Sequence, residues 1–163
     1  MSKMTYPITP AIRVLREKKI EFAPHIFEYV EKGGTRHSSE VLKVDEHAVI
    51  KTLIFETNEK KPLVILMHGD CQVSTKNLAR ILNVKSISAV APEKANKLTG
   101  YLVGGTSPFG LKTKMSVYVE KTIFDLETIY INGGKRGFLV SLNPNVLEQI
   151  LEIKKVEVAV KDE

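Results

Sequence analysis

Seven of the ten glycines in this 163-residue chain lie between Gly100 and Gly137. Six of these fall into two clusters, Gly104-Gly105-Thr106-Ser107-Pro108-Phe109-Gly110 and Gly133-Gly134-Lys135-Arg136-Gly137, each after an apolar, strand-like segment. Glycine tolerates positive φ and lets backbone approach a ligand closely. Either cluster alone reads as an ordinary tight turn. Two at neighbouring strand ends can line a pocket with amide N–H groups, and a side chain at Gly105 would then stand where a ligand approaches. Neither cluster has the Gly-x-x-x-x-Gly-Lys-Ser/Thr spacing of a phosphate loop. Ser107 does not fit a nucleophile elbow, because Phe109 occupies the second glycine position and Pro108 lacks the oxyanion-binding N–H. It suits the shaping of a turn.

The flanking sequence predicts an α+β domain. Thr9-Pro10 marks an N-cap and first helical residue, with Ala11, Val14 and Leu15 facing inward. Phe22 to Glu28 reads as a strand, residues 31–36 as a loop, and Ser38 or Ser39 as the cap of a short helix through Leu42. Asp45 starts another turn. Residues 51–56 and 63–67 form a hairpin. Ser74 or Thr75 caps a helix with Leu78, Ile81 and Leu82 on one face. Pro92 opens a helix that ends near Gly100. Residues 101–103, 115–119, 128–131 and 138–142 are strand candidates, and Asn143-Pro144 starts a helix through Leu151. The last dozen residues fit an edge strand or a tail. Without a regular βαβ repeat, the expected architecture is one domain over residues 1–163, core about 8–151: a mixed, partly barrel-like sheet with flanking helices.

The longest apolar runs, such as residues 48–50 and 63–67, are too short to cross a bilayer. The N-terminal residues lack the apolar core of a secretory signal. The single cysteine, Cys71, excludes an intramolecular disulfide and any multi-cysteine metal site. These features predict a cytoplasmic protein. A formal charge of +5 is compatible with an anionic partner but equally with a solubilising surface.

Four histidines (His25, His37, His47, His68) show no metal-ligand spacing, and neither a metal nor a cofactor is expected. Lys51 stands apart. Period-two alternation puts it on the face of Val49, Leu53 and Phe55. An internal lysine there needs a polar partner or a ligand; at the strand's start its head can instead reach water.

The segments Thr9-Pro10-Ala11, Lys51-Thr52-Leu53, Thr99 to Gly110 and Ile129 to Gly137, in this order and spacing, resemble the YbaK family. Its members are free-standing relatives of the editing domain inserted in bacterial prolyl-tRNA synthetase. The resemblance covers about residues 8–151. It implies deacylation of Cys-tRNA(Pro), with aminoacyl-tRNA as substrate and prolyl-tRNA synthetase as a partner. It makes Lys51 the essential lysine, and places Phe27, Gly104, Gly105, Ser107, Pro108, Asn132, Gly133, Gly134 and Arg136 at the substrate site. Three positions depart from the expected pattern: Phe27 replaces tyrosine, Asn132 replaces serine, and Leu139 replaces an acidic residue. Deacylation of another mischarged tRNA, carrying alanine or serine, and tRNA or synthetase binding without catalysis are the alternative expectations.

Overall fold

A computed structural model describes residues 5–161. Two strands organise it. β2 (Val49–Thr57) and β3 (Pro62–His68) pair antiparallel from Ile50↔His68 to Glu56↔Pro62, as the hairpin pattern predicts. Every residue of the run Leu63 to Met67 is buried. Side chains alternate across a strand, so an unbroken apolar run requires cover on both faces. Val64 and Leu66 join a cluster with Ile50, Ile54 and Ile131. Leu63, Ile65 and Met67 join a second, with Cys71, Leu78, Ile87 and Val158.

The sheet extends from this pair in both directions. On the β2 side come β7 (Ile129–Lys135), β8 (Phe138–Leu142) and β1 (Ala23–Ile26); on the β3 side, β6 (Ser116–Glu120) and β9 (Ile153–Val156). β2–β7, β3–β6 and β6–β9 are parallel and the other pairs antiparallel, so the sheet is mixed as expected. The free edge of β2 is shared: β7 takes Val49 and Ile50, while the short β5 (Ile87–Ala89) takes Phe55 to Thr57. The path ends on β1 and β9, which do not pair with each other; the expected curl stops short of a closed barrel. β4 (Cys71–Val73) and β10 (Ala159–Lys161) form a separate ribbon.

α1 (Pro10–Glu17) starts as the sequence predicts, with Thr9 Oγ1 accepting from the Ile12 N–H. It buries Ala11, Ile12 and Leu15, whereas Val14 is only half-buried. α2 (Gly34–Leu42) corrects the expected loop through Arg36. It begins four residues earlier than Ser38, and Ser38 and Ser39 lie inside it. Their hydroxyls donate back to the Thr35 and Arg36 carbonyls, a helix-interior alternative to capping. In α3 (Thr75–Leu82), capped by Ser74, Ile81 points outward and is 52% exposed, contrary to expectation.

α4 (Pro92–Thr99) closes at Gly100, φ +82°. Residues 101–103 form no strand: Gly105 N–H turns back to the Leu102 carbonyl, and Asn96 Oδ1 accepts from Val103 N–H. α5 (Val146–Ile150) follows a turn in which Val146 N–H reaches the Asn143 carbonyl, so Asn143-Pro144 precedes the helix. The C-terminal segment becomes β9 and β10.

Ile65 is fully buried at the centre of the second cluster. We expect Ile65→Ala to lose about 2–5 kcal/mol of stability, measured by chemical denaturation. A loss below about 1 kcal/mol would mean that this face is not packed as described.

Candidate functional site

The two glycine clusters meet. β7 continues through Gly133-Gly134, and its pairing with β8 slips between Asn132 and Lys135. The slip is possible because Gly134 adopts φ +102° and Gly137 φ +76°. The first cluster lies directly on this turn. A Cβ added at Gly105 would stand 2.7 Å from Arg136 N and 2.9 Å from Lys135 C. The space beside Gly105 is therefore filled by the other loop's backbone, and the expectation that it faces a ligand is corrected. This glycine permits contact between the loops.

Asn132 fastens the contact. Its Oδ1 accepts from the N–H groups of Gly134 (2.7 Å) and Lys135 (3.0 Å), and its Nδ2 donates to the Gly104 carbonyl (3.1 Å). Arg136 adds a second tie, Nε donating to the Val103 carbonyl at 2.9 Å, with its guanidinium 5.1 Å from the Tyr29 ring centre. Thr9 Oγ1 donates to the Gly133 carbonyl, which joins the cap of α1 to the same turn. Phe27 N–H donates to the Gly137 carbonyl, and the Phe27 ring lies 5.9 Å from that of His37 on α2. Ser107 is fully buried, its Oγ accepting from Phe109 N–H at 3.1 Å, and Pro108 is buried beside it. Both secure the base of the first loop, which agrees with the turn-shaping reading of Ser107.

Lys51 stands on β2 next to this assembly. The last parallel pair between β2 and β7 is Ile50↔Ile131, so Lys51 and Asn132 are the following residues of adjacent strands. Ile50 and Ile131 face the first cluster; the alternation sends Lys51 and Asn132 to the opposite face. Lys51 is half-buried, and its Nζ donates to the Gly69 carbonyl at 3.4 Å. Among the described residues no carboxylate pairs with it. Its polar contact is this long one to a carbonyl, on a side chain that is partly open to solvent. Leu139 pairs with Asn132 across β7–β8 and is 5% exposed, giving this face an apolar floor.

The structure brings Lys51, Asn132, Gly104, Gly134, Arg136 and Phe27 into one neighbourhood, while Gly105, Gly133, Ser107 and Pro108 build its frame. Sequence reasoning missed Tyr29, under the Arg136 guanidinium, and His37, against Phe27. Tyr29 alternates with Phe27 along one segment, a period-two signal that pointed to it. The helix carrying His37 was obscured by its Gly33-Gly34 start.

The histidines outside the cradle have polar partners. His25 contacts Ser141 Oγ at 2.8 Å, and burial lowers its pKa. His68 is fully buried and burial likewise lowers its pKa. Its neutral ring donates from Nδ1 to the His47 carbonyl and accepts at Nε2 from Thr122. Chemically, the cradle offers backbone, the Lys51 and Arg136 cations and, among the described residues, no activated nucleophile. That suits positioning and charge stabilisation of an already activated substrate.

The sequence profile of the aminoacyl-tRNA editing domain matches residues 34–150. A provisionally named Cys-tRNA(Pro)/Cys-tRNA(Cys) deacylase of Enterococcus faecalis is 26% identical over 161 residues, spanning 98% of each chain. A proline–tRNA ligase of Streptococcus thermophilus is 24% identical over 159 residues, which are 94% of this chain and 24% of the ligase. Among solved structures, a provisionally assigned trans-editing enzyme for prolyl-tRNA synthetase superposes with a TM-score of 0.79 at 16% identity, covering 96% of this chain and 100% of that one. The fold is the same.

Because backbone occupies the Cβ position of Gly105, Gly105→Val should destabilise the protein by about 1–3 kcal/mol, the usual cost of overpacking. Denaturant unfolding measures this. Unchanged stability would show that the loops are not in backbone contact.

Proposed function

The chain belongs to the aminoacyl-tRNA editing domain family, and from that membership we propose that it deacylates Cys-tRNA(Pro) in trans. The observation that carries the reading is Lys51 beside two glycine turns clipped together by Asn132, with no protein nucleophile in the cradle. An aminoacyl ester is already activated, and such a site acts on it by holding it in a reactive geometry. Prolyl-tRNA synthetase, which mischarges its tRNA with cysteine, is the proposed partner, and the cytoplasm, where tRNA is charged, the proposed location.

The nucleophile in this reading is the substrate's own thiol. Cysteine is appreciably thiolate near neutral pH, far more so than serine is alkoxide. The thiolate attacks the ester carbonyl and forms an S–C bond. The ester C–O bond then breaks, the ribose hydroxyl takes up a proton, and cysteine leaves as a cyclic thiolactone. Negative charge develops on the carbonyl oxygen, where a lysine or backbone N–H lowers the barrier. Phe27 and Leu139 give the side-chain region an apolar character suited to a small thiol, and no hydroxyl or carboxylate from either reaches it.

Two experiments test the proposal. Purified protein incubated with a panel of aminoacyl-tRNAs should release amino acid from Cys-tRNA(Pro) much faster than from Pro-tRNA(Pro) or Ser-tRNA. S-methylation of the substrate cysteine should abolish release while tRNA binding survives; rapid hydrolysis of the S-methyl ester would exclude thiol attack and point to an enzyme-positioned water.

Lys51→Ala should remain folded and lose roughly 10²–10³ in rate, the usual consequence of removing one preorganised charge-stabilising group. A fall in kcat at constant KM assigns Lys51 to the oxyanion; a rise in KM alone assigns it to the terminal phosphate. Near-normal kinetics would make the residue structural only.

A further inference from the structure

The turn beside Lys51 carries a second constellation. His47 comes from the 3-10 turn Glu46–Ala48, Asp70 from the connection between β3 and β4, and Cys71 from the first position of β4. They share no sequence spacing that signals a site. In the fold, His47 Nδ1 is 2.8 Å from Asp70 Oδ1, Cys71 Sγ is 3.5 Å from the same oxygen, and one ligand atom from each of the three lies within 4.8 Å of the others. We propose that these three side chains form a binding site for a borderline-soft divalent cation of the zinc class.

Donor chemistry, charge and preorganisation all support this assignment. An imidazole nitrogen, a carboxylate oxygen and a thiolate sulfur are zinc's ordinary ligands, with bonds of about 2.0–2.3 Å. Tetrahedral bonds of that length separate ligand atoms by about 3.3–3.8 Å, so on binding the 2.8 Å His47–Asp70 contact opens slightly and the widest pair, now within 4.8 Å, closes by about an ångström. A carboxylate and a thiolate together match a divalent charge. A sulfur ligand favours zinc or cobalt over magnesium or calcium. Burial grades across the cluster from Cys71 at 6% exposed to half-exposed side chains of Asp70 and His47, which leaves one side open for water as the fourth ligand.

The surrounding groups hold the ligands in place. The His47 ring stacks on His68 with centres 3.6 Å apart and planes 8° apart. His68 is itself fixed at both nitrogens, by the His47 carbonyl and by Thr122. Gly69 seats the turn against Thr35 and Glu46, where a Cβ would come within 2.6 Å of Thr35 Oγ1. Without the ion, Asp70 accepts from both His47 Nδ1 and the Cys71 thiol. On binding, the cation takes the place of these two protons: the thiol gives its proton to solvent, and neutral His47 coordinates through Nδ1 with its proton carried on Nε2. Because Gly69 also accepts from Lys51, the ion braces the turn against which Lys51 is set.

The test needs no tRNA and is independent of the deacylase reading. Metal-free protein is titrated with cobalt(II) and followed by absorption. The proposal expects saturation at one equivalent, a near-ultraviolet thiolate-to-cobalt charge-transfer band, and displacement by zinc but not by excess magnesium. Cys71→Ser should remove the band, and His47→Gln should weaken binding at least tenfold, with circular dichroism showing that both variants are folded. If Cys71→Ser fails to fold, His47→Gln and Asp70→Asn decide the matter alone. Absence of a thiolate band in the unmodified protein, or equal cobalt affinity in folded His47→Gln and Asp70→Asn, would overturn the site.

Discussion

The backbone of one glycine loop rests on the backbone of the other, and the rest of the site follows from that contact. Gly105 lies where any side chain would strike Arg136 N, so the two turns approach closely only because the first has no Cβ there. Asn132 then bonds both turns with a single amide, donating to one and accepting from the other. Serine, the residue expected at this position, has one oxygen and could not span both loops so completely. The departure at Asn132 is therefore a reinforcement of the frame. Thr9 extends the same frame to α1, so the helix cap, the second turn and the first loop are mutually fixed.

The sheet supports this frame from below. β3 is buried on both faces, and β2 beside it presents Ile50 and Ile54 to one cluster while Leu53 and Phe55 pack on the other. Lys51 falls at the margin of the second face, where the apolar cover gives way to the turn at Gly69. Such a margin desolvates an ammonium only in part. Its partner there is the Gly69 carbonyl. A lysine two positions further along would enter the apolar cluster, where an unpaired charge is prohibitive. The position of Lys51 follows from where the core ends.

Much of this was legible before the fold was known. Thr9-Pro10, Ser74 and Asp45 announced their turns through side-chain capping, which is local chemistry. The hairpin of β2 and β3 declared itself through two apolar runs and a polar connection. Lys51 was conspicuous as a charge within a strand. Features dependent on partners distant in sequence were not legible. Tyr101 to Val103 is apolar enough for a strand, yet Asn96 and Gly105 take its backbone bonds. The three-residue strands β4 and β5 are too short to show a period. Ile81 fits a helical stripe but faces outward, because α3 buries Leu78 and Ala79 instead. The roles of Gly105 and Ser107 as frame rather than lining depend on what packs against them, and no spacing rule contains that.

The central claim is that the clipped glycine turns and Lys51 form one substrate cradle. A stable amide-linked analogue of cysteinyl-adenosine, titrated into isotope-labelled protein, tests it through backbone amide chemical shifts. The account predicts saturable shifts concentrated at Gly104, residues 132–136, Lys51 and Phe27. Shifts centred instead on a distant surface, such as the lysine-rimmed groove between Lys61, Lys112 and Lys154, with the glycine turns unperturbed, would contradict it.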